Sequence, residues 1–296
     1  KINEKGIMKK VPVMIISSEI SAENENICFK YGVFDFIGRP FKTSIVRKRV
    51  QNMINIYVYK NHLEQQVQEQ TAVLRKAYEK LEKQKERVEK LNKDILDMLG
   101  TIVEFRNLES GEHIMRVKGY TKILAEKFKE LYPEYNLTDE TIDNIVEASA
   151  LHDLGKISIP DKILLKPGKL TKEEFEYMKL HTVTGCELIQ AVNLEQSEEL
   201  KQICYDIIRY HHERYDGKGY PDGLKGDEIP VSAQLVSLAD VYDALINERC
   251  YKDAFSNEKA FNMIMNGECG TFSPKLLETF KQVRDKFERF AIEERK

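Results

Sequence analysis

Five of the six histidines in this 296-residue sequence, His113, His152, His181, His211 and His212, fall within one hundred residues, each in or beside a segment with helical apolar spacing. Imidazole suits borderline divalent cations such as iron, manganese, nickel and zinc, above all where carboxylates join it. Two of the histidines carry their company with them. In EASALHDLGK, starting at Glu147, an apolar helix brings His152 and Asp153 side by side into a glycine turn. Neighbours on a helix point about 100° apart. They suit two adjacent ions, with the carboxylate bridging, better than one ion gripped face-on. Gly155 can end that helix, and Lys156 then projects a cation beside whatever the metals hold. His211 and His212 follow CYDIIRY, and two adjacent imidazoles are costly to bury without partners or a metal. Asp240, inside the apolar VSLADVYDAL, poses the same problem for a carboxylate. Taken singly, an HD pair, His113 on the Ile114–Val117–Leu124 face, or His181 between Met178 and Leu188 reads equally well as a histidine satisfied in a core. Together they point to a metal centre.

The elements that must position these residues read as helices. Thr138 before Asp139-Glu140 has the form of an N-cap, Thr171 with Glu174 that of a capping box opening the helix that leads to His181, and Ser197, Ser256 and Ser273-Pro274 mark further starts. No strand alternation follows residue 100. Gly217, Gly219, Gly223 and Gly226 predict a flexible loop around Tyr220 and Pro221.

Upstream, neither proline nor glycine occurs from Asn61 to Met98, and the composition shifts to Glu, Lys, Gln and Leu. Val67, Leu74, Leu81, Val88 and Ile95 recur every seven residues, with Leu63, Gln70, Ala77, Gln84, Leu91 and Met98 in the companion register. That pattern predicts a parallel coiled coil and a homodimer, the alternative being one amphipathic helix packed on its own protein. His62, at its start, is assigned no chemistry. Before it, VPVMIISSEI and FDFIGRPF flank a short helix, giving the order strand, helix, strand, helix.

Composition narrows the classes. A net charge of −3 with 32% charged residues excludes a broad basic surface for DNA or RNA. No apolar run reaches the roughly 20 residues of a membrane helix. Five cysteines without CxxC spacing predict reduced thiols and a cytoplasmic protein.

Two resemblances follow. Residues 1 to about 57 resemble the second half of a response-regulator receiver domain, with Ser17 as switch hydroxyl, Phe36 as switch aromatic and Arg39-Pro40 in place of the usual Lys-Pro. The strands that would hold the phosphoacceptor aspartate are not in this sequence, and a half sheet has unpaired edges. Residues 97 to 290 resemble the HD-GYP family, a branch of the HD superfamily of metal-dependent phosphohydrolases. The motifs occur in order: ESGEH at Glu109, LHDLGKISIPDKILLKPGKL at Leu151, His181, HHERYDGKGYPDGL at His211, then LADVYDAL and RCYK. Cys250 and Ser158 depart from the family's usual proline and glycine.

The resemblance implies a mainly α fold: an all-helical HD-domain bundle over 99–296, a long coiled-coil signalling helix over 58–98, and a partial α/β receiver-like segment over 1–57. It implies metal ligands at His113, His152, Asp153, His181, His211, His212 and Asp240, with Glu109 as ligand of a third ion and Glu112 as its rival. Two or three divalent ions, iron or manganese, would serve. Lys156, Tyr220, Arg249 and Lys252 would contact substrate, and Asp153 and Lys156 would be catalytic. The implied reaction is hydrolysis of cyclic di-GMP to linear pGpG, with further conversion to GMP left open, by water that the ions activate for in-line attack on phosphorus. A mixed guanine-adenine cyclic dinucleotide is an alternative substrate. A catalytically silent cyclic di-GMP receptor signalling through the coiled coil is the alternative from another class.

Overall fold

A computed structural model of the chain describes residues 10–19, 21–106, 111–191, 198–248 and 254–294. By internal contacts the chain divides into two units, Lys1–Arg87 and Val88–Lys296.

In the first unit, β1 (Met14–Ser17) and β2 (Asp35–Gly38) pair in parallel, Met14 opposite Asp35 through Ser17 opposite Gly38. They are joined across α1 (Ala22–Lys30), which the Ser21 hydroxyl caps by accepting from the amide of Asn24. This is the strand, helix, strand order expected. Val33, Phe36 and Ile37 are its buried apolar residues, while Ile16, Phe29, Phe34, Phe41 and Ile45 are exposed.

The next helix, α2, runs unbroken from Thr43 to Arg106. It joins the helix expected after the second strand to the 58–98 segment and continues beyond it, and no proline or glycine interrupts the sequence from Lys42 to Leu99. Gly100 is accommodated near its end because a side chain there would collide with the carbonyl of Ala150.

In the second unit the helices are α3 (Glu112–Leu131), α4 (Asp139–Ser149), α5 (Asp161–Leu164), α6 (Lys172–Lys179), α7 (His181–Ala191), α8 (Glu198–Tyr210), α9 (Val231–Ile246), α10 (Asn257–Met265) and α11 (Pro274–Glu293). Their starts follow the local chemistry expected. Thr138, Ser256 and Ser273 each accept a backbone N–H from the helix's first turn, and Thr171 with Glu174 forms the reciprocal capping box. Ser197 lies outside the described residues. The helix expected to lead to His181 is two, with α6 ending at Lys179 and α7 beginning at His181.

The centre of this bundle is α3, which packs on α4, α9 and α11, while α8 packs on α4, α7 and α9. Tyr120 of α3 stacks on Phe287 of α11, ring centroids 4.7 Å apart, and meets Tyr242 of α9 edge-on. Burying side chains of this size contributes about 1.5–3 kcal/mol each. The result is a rigid frame whose helix ends converge on one place. Among the described residues no helix is long and apolar enough to cross a membrane.

Candidate metal centre

α4 stops at Ser149, so His152 and Asp153 stand on the turn that follows, not on the helix as expected. The stop has a local cause. The His152 ring nitrogen Nδ1 lies 2.9 Å from the carbonyl oxygen of Ser149, which also accepts the backbone amide of His152 at 3.3 Å. The chain then winds through a 3-10 turn, Leu154–Ser158, that packs on α7. Gly155 is what lets it approach: a Cβ there would overlap the His181 carbonyl oxygen and lie 2.6 Å from the amide nitrogen of Gly185. A Cβ on Gly185 would in turn lie 2.6 Å from Cγ2 of Ile208 on α8. Two glycines thus bring the His152-Asp153 turn, His181 and the end of α8 together. Ser158 braces the turn by donating to the Gly155 carbonyl oxygen at 2.8 Å.

The imidazoles share one arrangement. Nδ1 of His181 lies 2.8 Å from the Met178 carbonyl oxygen, and Nδ1 of His211 lies 2.9 Å from that of Ile207. A carbonyl oxygen only accepts, so Nδ1 carries a proton in all three; Nε2 presents its lone pair in His181 and His211, and in His152 it does so once the ring is neutral. All three Nε2 atoms, and Oδ1 of Asp153, are buried and have no hydrogen-bond partner. Oδ1 of Asp153 lies 3.4 Å from Nε2 of His181 and 3.8 Å from that of His211, while Oδ2 lies 3.3 Å from Nε2 of His152 and pairs with Lys156. Oδ1 of Asp153 and the Nε2 atoms of His181 and His211 are acceptors aimed at one another, and they repel unless a cation sits among them. The donor set fits divalent ions.

Two groups result, Asp153 with His181, His211 and His212, and Glu104 with His113 and His152. Within each, one potential ligand atom per residue lies within 4.8 Å of the others. Asp240 borders the second, its Oδ1 3.7 Å from Nε2 of His113 and 3.9 Å from that of His152. Asp240 is only partly buried. The fully buried carboxylate of α9 is Asp243 instead, which binds Nδ1 of His113 at 2.8 Å and accepts from Nε of Arg116 at 2.7 Å. Burial opposes the charge of Asp243, but His113 and Arg116 hold its carboxyl below the usual range. Sequence reasoning missed Glu104, Asp243 and Arg116. Glu112, the rival carboxylate considered for Glu109, is exposed beside Arg116.

The electrostatics divide the same way. Burial presses His211 down to about 3 and holds His181 and His212 below the ordinary imidazole value. Burial also opposes charge on His152, yet Asp153, Asp240 and Glu104 raise it to about 10. Burial disfavours charge on Asp153 too, but Lys156 and His152 keep it well below the carboxylate range. Glu104 is raised, chiefly by burial.

The glycine loop is held more firmly than its composition predicts. Glu213 accepts from the amides of Asp222 and Gly223 at 2.8 and 2.9 Å, and Arg209 pairs bidentately with Asp222. Tyr220 is thereby set against His212, ring centroids 4.7 Å apart, with Nζ of Lys179 5.5 Å from its ring. Glu109, Arg249, Cys250 and Lys252 lie outside the described residues.

The HD domain family matches residues 111–276, more than half of the chain. A probable cyclic di-GMP phosphodiesterase of Vibrio cholerae is 35% identical over 298 residues, covering 96% of this chain and 64% of its own. A cyclic di-GMP phosphodiesterase of Thermotoga maritima is 32% identical over 284 residues, covering 94% of this chain and 73% of its own. The 3'3'-cGAMP-specific phosphodiesterase 2 of Vibrio cholerae is 38% identical over 196 residues, 66% of this chain and 35% of its own. The chain therefore spans less than two thirds of the length of the first and third of these relatives.

Proposed function

This chain belongs to the HD-domain family, and from that membership we propose that it hydrolyses a phosphodiester bond of cyclic di-GMP at a centre of two or three divalent ions, iron or manganese. The observation that carries the reading is the approach of two buried, partnerless Nε2 atoms, of His181 and His211, to the partnerless Oδ1 of Asp153, with a third, of His152, beside its Oδ2. A histidine core satisfied by hydrogen bonds would leave no such set.

In this reading Asp153, whose Oδ1 faces His181 and His211 and whose Oδ2 faces His152, would contribute to both sides of the centre. His181, His211 and His212 complete one side, and His113, His152 and Asp240 the other. Glu109 stays a candidate for a third ion, and Arg249 and Lys252 for substrate phosphate, on the family motif alone. Bound ions would supply an activated water and neutralise charge on the phosphoryl oxygens. The chain's own residues do the rest. Lys156, beside Asp153, would offset phosphate charge, and Tyr220 with the loop that Glu213 holds would shape the pocket. Linear pGpG is the expected product.

We assign residues 58–98 to a coiled-coil dimer, 1–57 to a receiver-like segment and 99–296 to the catalytic domain. The apolar heptad stripe supports the first: Leu63, Val67, Leu74, Leu81, Val88 and Leu91 are all exposed. Cys28, Cys186 and Cys204, which form no disulfide among the described residues, fit a cytoplasmic setting. A second substrate, a mixed guanine-adenine cyclic dinucleotide, draws support from the cGAMP-specific relative.

Product chromatography after anaerobic loading with iron or manganese tests the reading. Release of pGpG from cyclic di-GMP is expected. Faster turnover of the mixed dinucleotide would transfer the assignment to that substrate, and binding without product would make the protein a receptor.

A further inference from the structure

The last turn of α2 carries a group to which the family motif gives no role. Glu104 is 1% exposed, and neither of its carboxylate oxygens has a hydrogen-bond partner. One of those oxygens lies within 4.8 Å of ring nitrogens of both His113 and His152. The nearby charge of Lys156 does not outweigh this burial, and a carboxylate buried without a hydrogen-bond donor is disfavoured, so a fold that keeps one is expected to have something bind it. Its position is also fixed. Arg106, two residues on, donates to the carbonyl oxygens of Lys156, Ile157 and Ile159 at 2.9, 2.7 and 2.7 Å, tying the end of α2 to the segment just after Asp153.

We propose that Glu104 is itself a metal ligand, its carboxylate completing the half of the centre held by His113 and His152. The inference rests on the metal-centre reading above and adds to it an oxygen donor, which favours iron or manganese over softer ions. It also places one ligand on the same continuous helix that carries the exposed heptad stripe, so the helix and the centre are joined by a coordinate bond.

The test uses the full chain with Glu104→Gln and the apolar Glu104→Leu. Anaerobic manganese titration, followed by the electron paramagnetic resonance of the free ion, counts equivalents and affinities. Thermal melts are run with and without manganese. Wild type is expected to take up at least two equivalents. Both variants should weaken one of them by about 10- to 100-fold or more while keeping another. Without metal the Leu variant should melt at or above wild type, because a buried lone carboxylate is gone, yet gain less from saturating manganese. Unchanged affinity for every equivalent overturns the inference, as does a variant that melts lower without metal and keeps the full metal-induced rise. Wild type that takes up no manganese overturns it together with the metal-centre reading, which separates the two failures.

Discussion

The two halves of the centre are aimed by different means. In the half made by Asp153, His181, His211 and His212, backbone carbonyls hold the Nδ1 atoms of His181 and His211, and glycine contacts bring the elements together. In the half made by Glu104, His113 and His152, a carbonyl again holds His152, but His113 is aimed by the Asp243 and Arg116 side chains, and Glu104 arrives from α2. The first half should thus resist changes of neighbouring side chains and be sensitive to backbone spacing; the second should depend, through His113, on side chains as well.

The largest effect is expected where the halves meet. Asp153→Ala removes the carboxylate they share, and phosphodiesterase activity should fall by at least about 10²- to 10³-fold, with metal lost from both halves in elemental analysis. Next comes spacing. Gly155→Ala forces a methyl into the His181 carbonyl, and a destabilisation of about 1–3 kcal/mol in denaturant unfolding is expected, with loss of metal from the His181 side first. Asp243→Asn should act on the other half only, weakening one metal equivalent about tenfold in a titration and leaving the second intact.

The smallest effect is a proton count. In protein stripped of metal His152 titrates at about 10 and is protonated at pH 7, whereas His211 titrates at about 3 and is already neutral. Metal entering the His152 side must displace a proton, so affinity there rises with pH up to about 10. At His211 no proton is displaced. Calorimetric titration in two buffers of different ionisation enthalpy should find proton release tied to one equivalent only, and equal release from both would blur the distinction drawn here.

How much of this could be read in advance depends on contrast. His152-Asp153, His181, His211-His212 and Asp240 stand out because polar, metal-competent residues interrupt apolar segments. Glu104 does not, since VEFRN in a charged helical run looks like any solvated face. Its one local signal is Gly100, four residues earlier on the same helix face, which marks a close approach by another segment. Asp243 follows Asp240 by three residues, and only packing decides which is buried. The heptads fall within one helix but do not mark its ends, because a helix continues wherever no proline or glycine stops it, whether or not the seven-residue pattern does. The HD pair was expected on a helix, and the bond from the His152 ring to Ser149 that ends the helix is tertiary in consequence but invisible in composition.

The most direct test is release of linear product from cyclic di-GMP by anaerobically prepared protein as iron or manganese is titrated in. Turnover should appear with metal, vanish with chelator, and be absent from a His152→Ala, Asp153→Ala protein that still folds. Full turnover by that double variant would contradict the account.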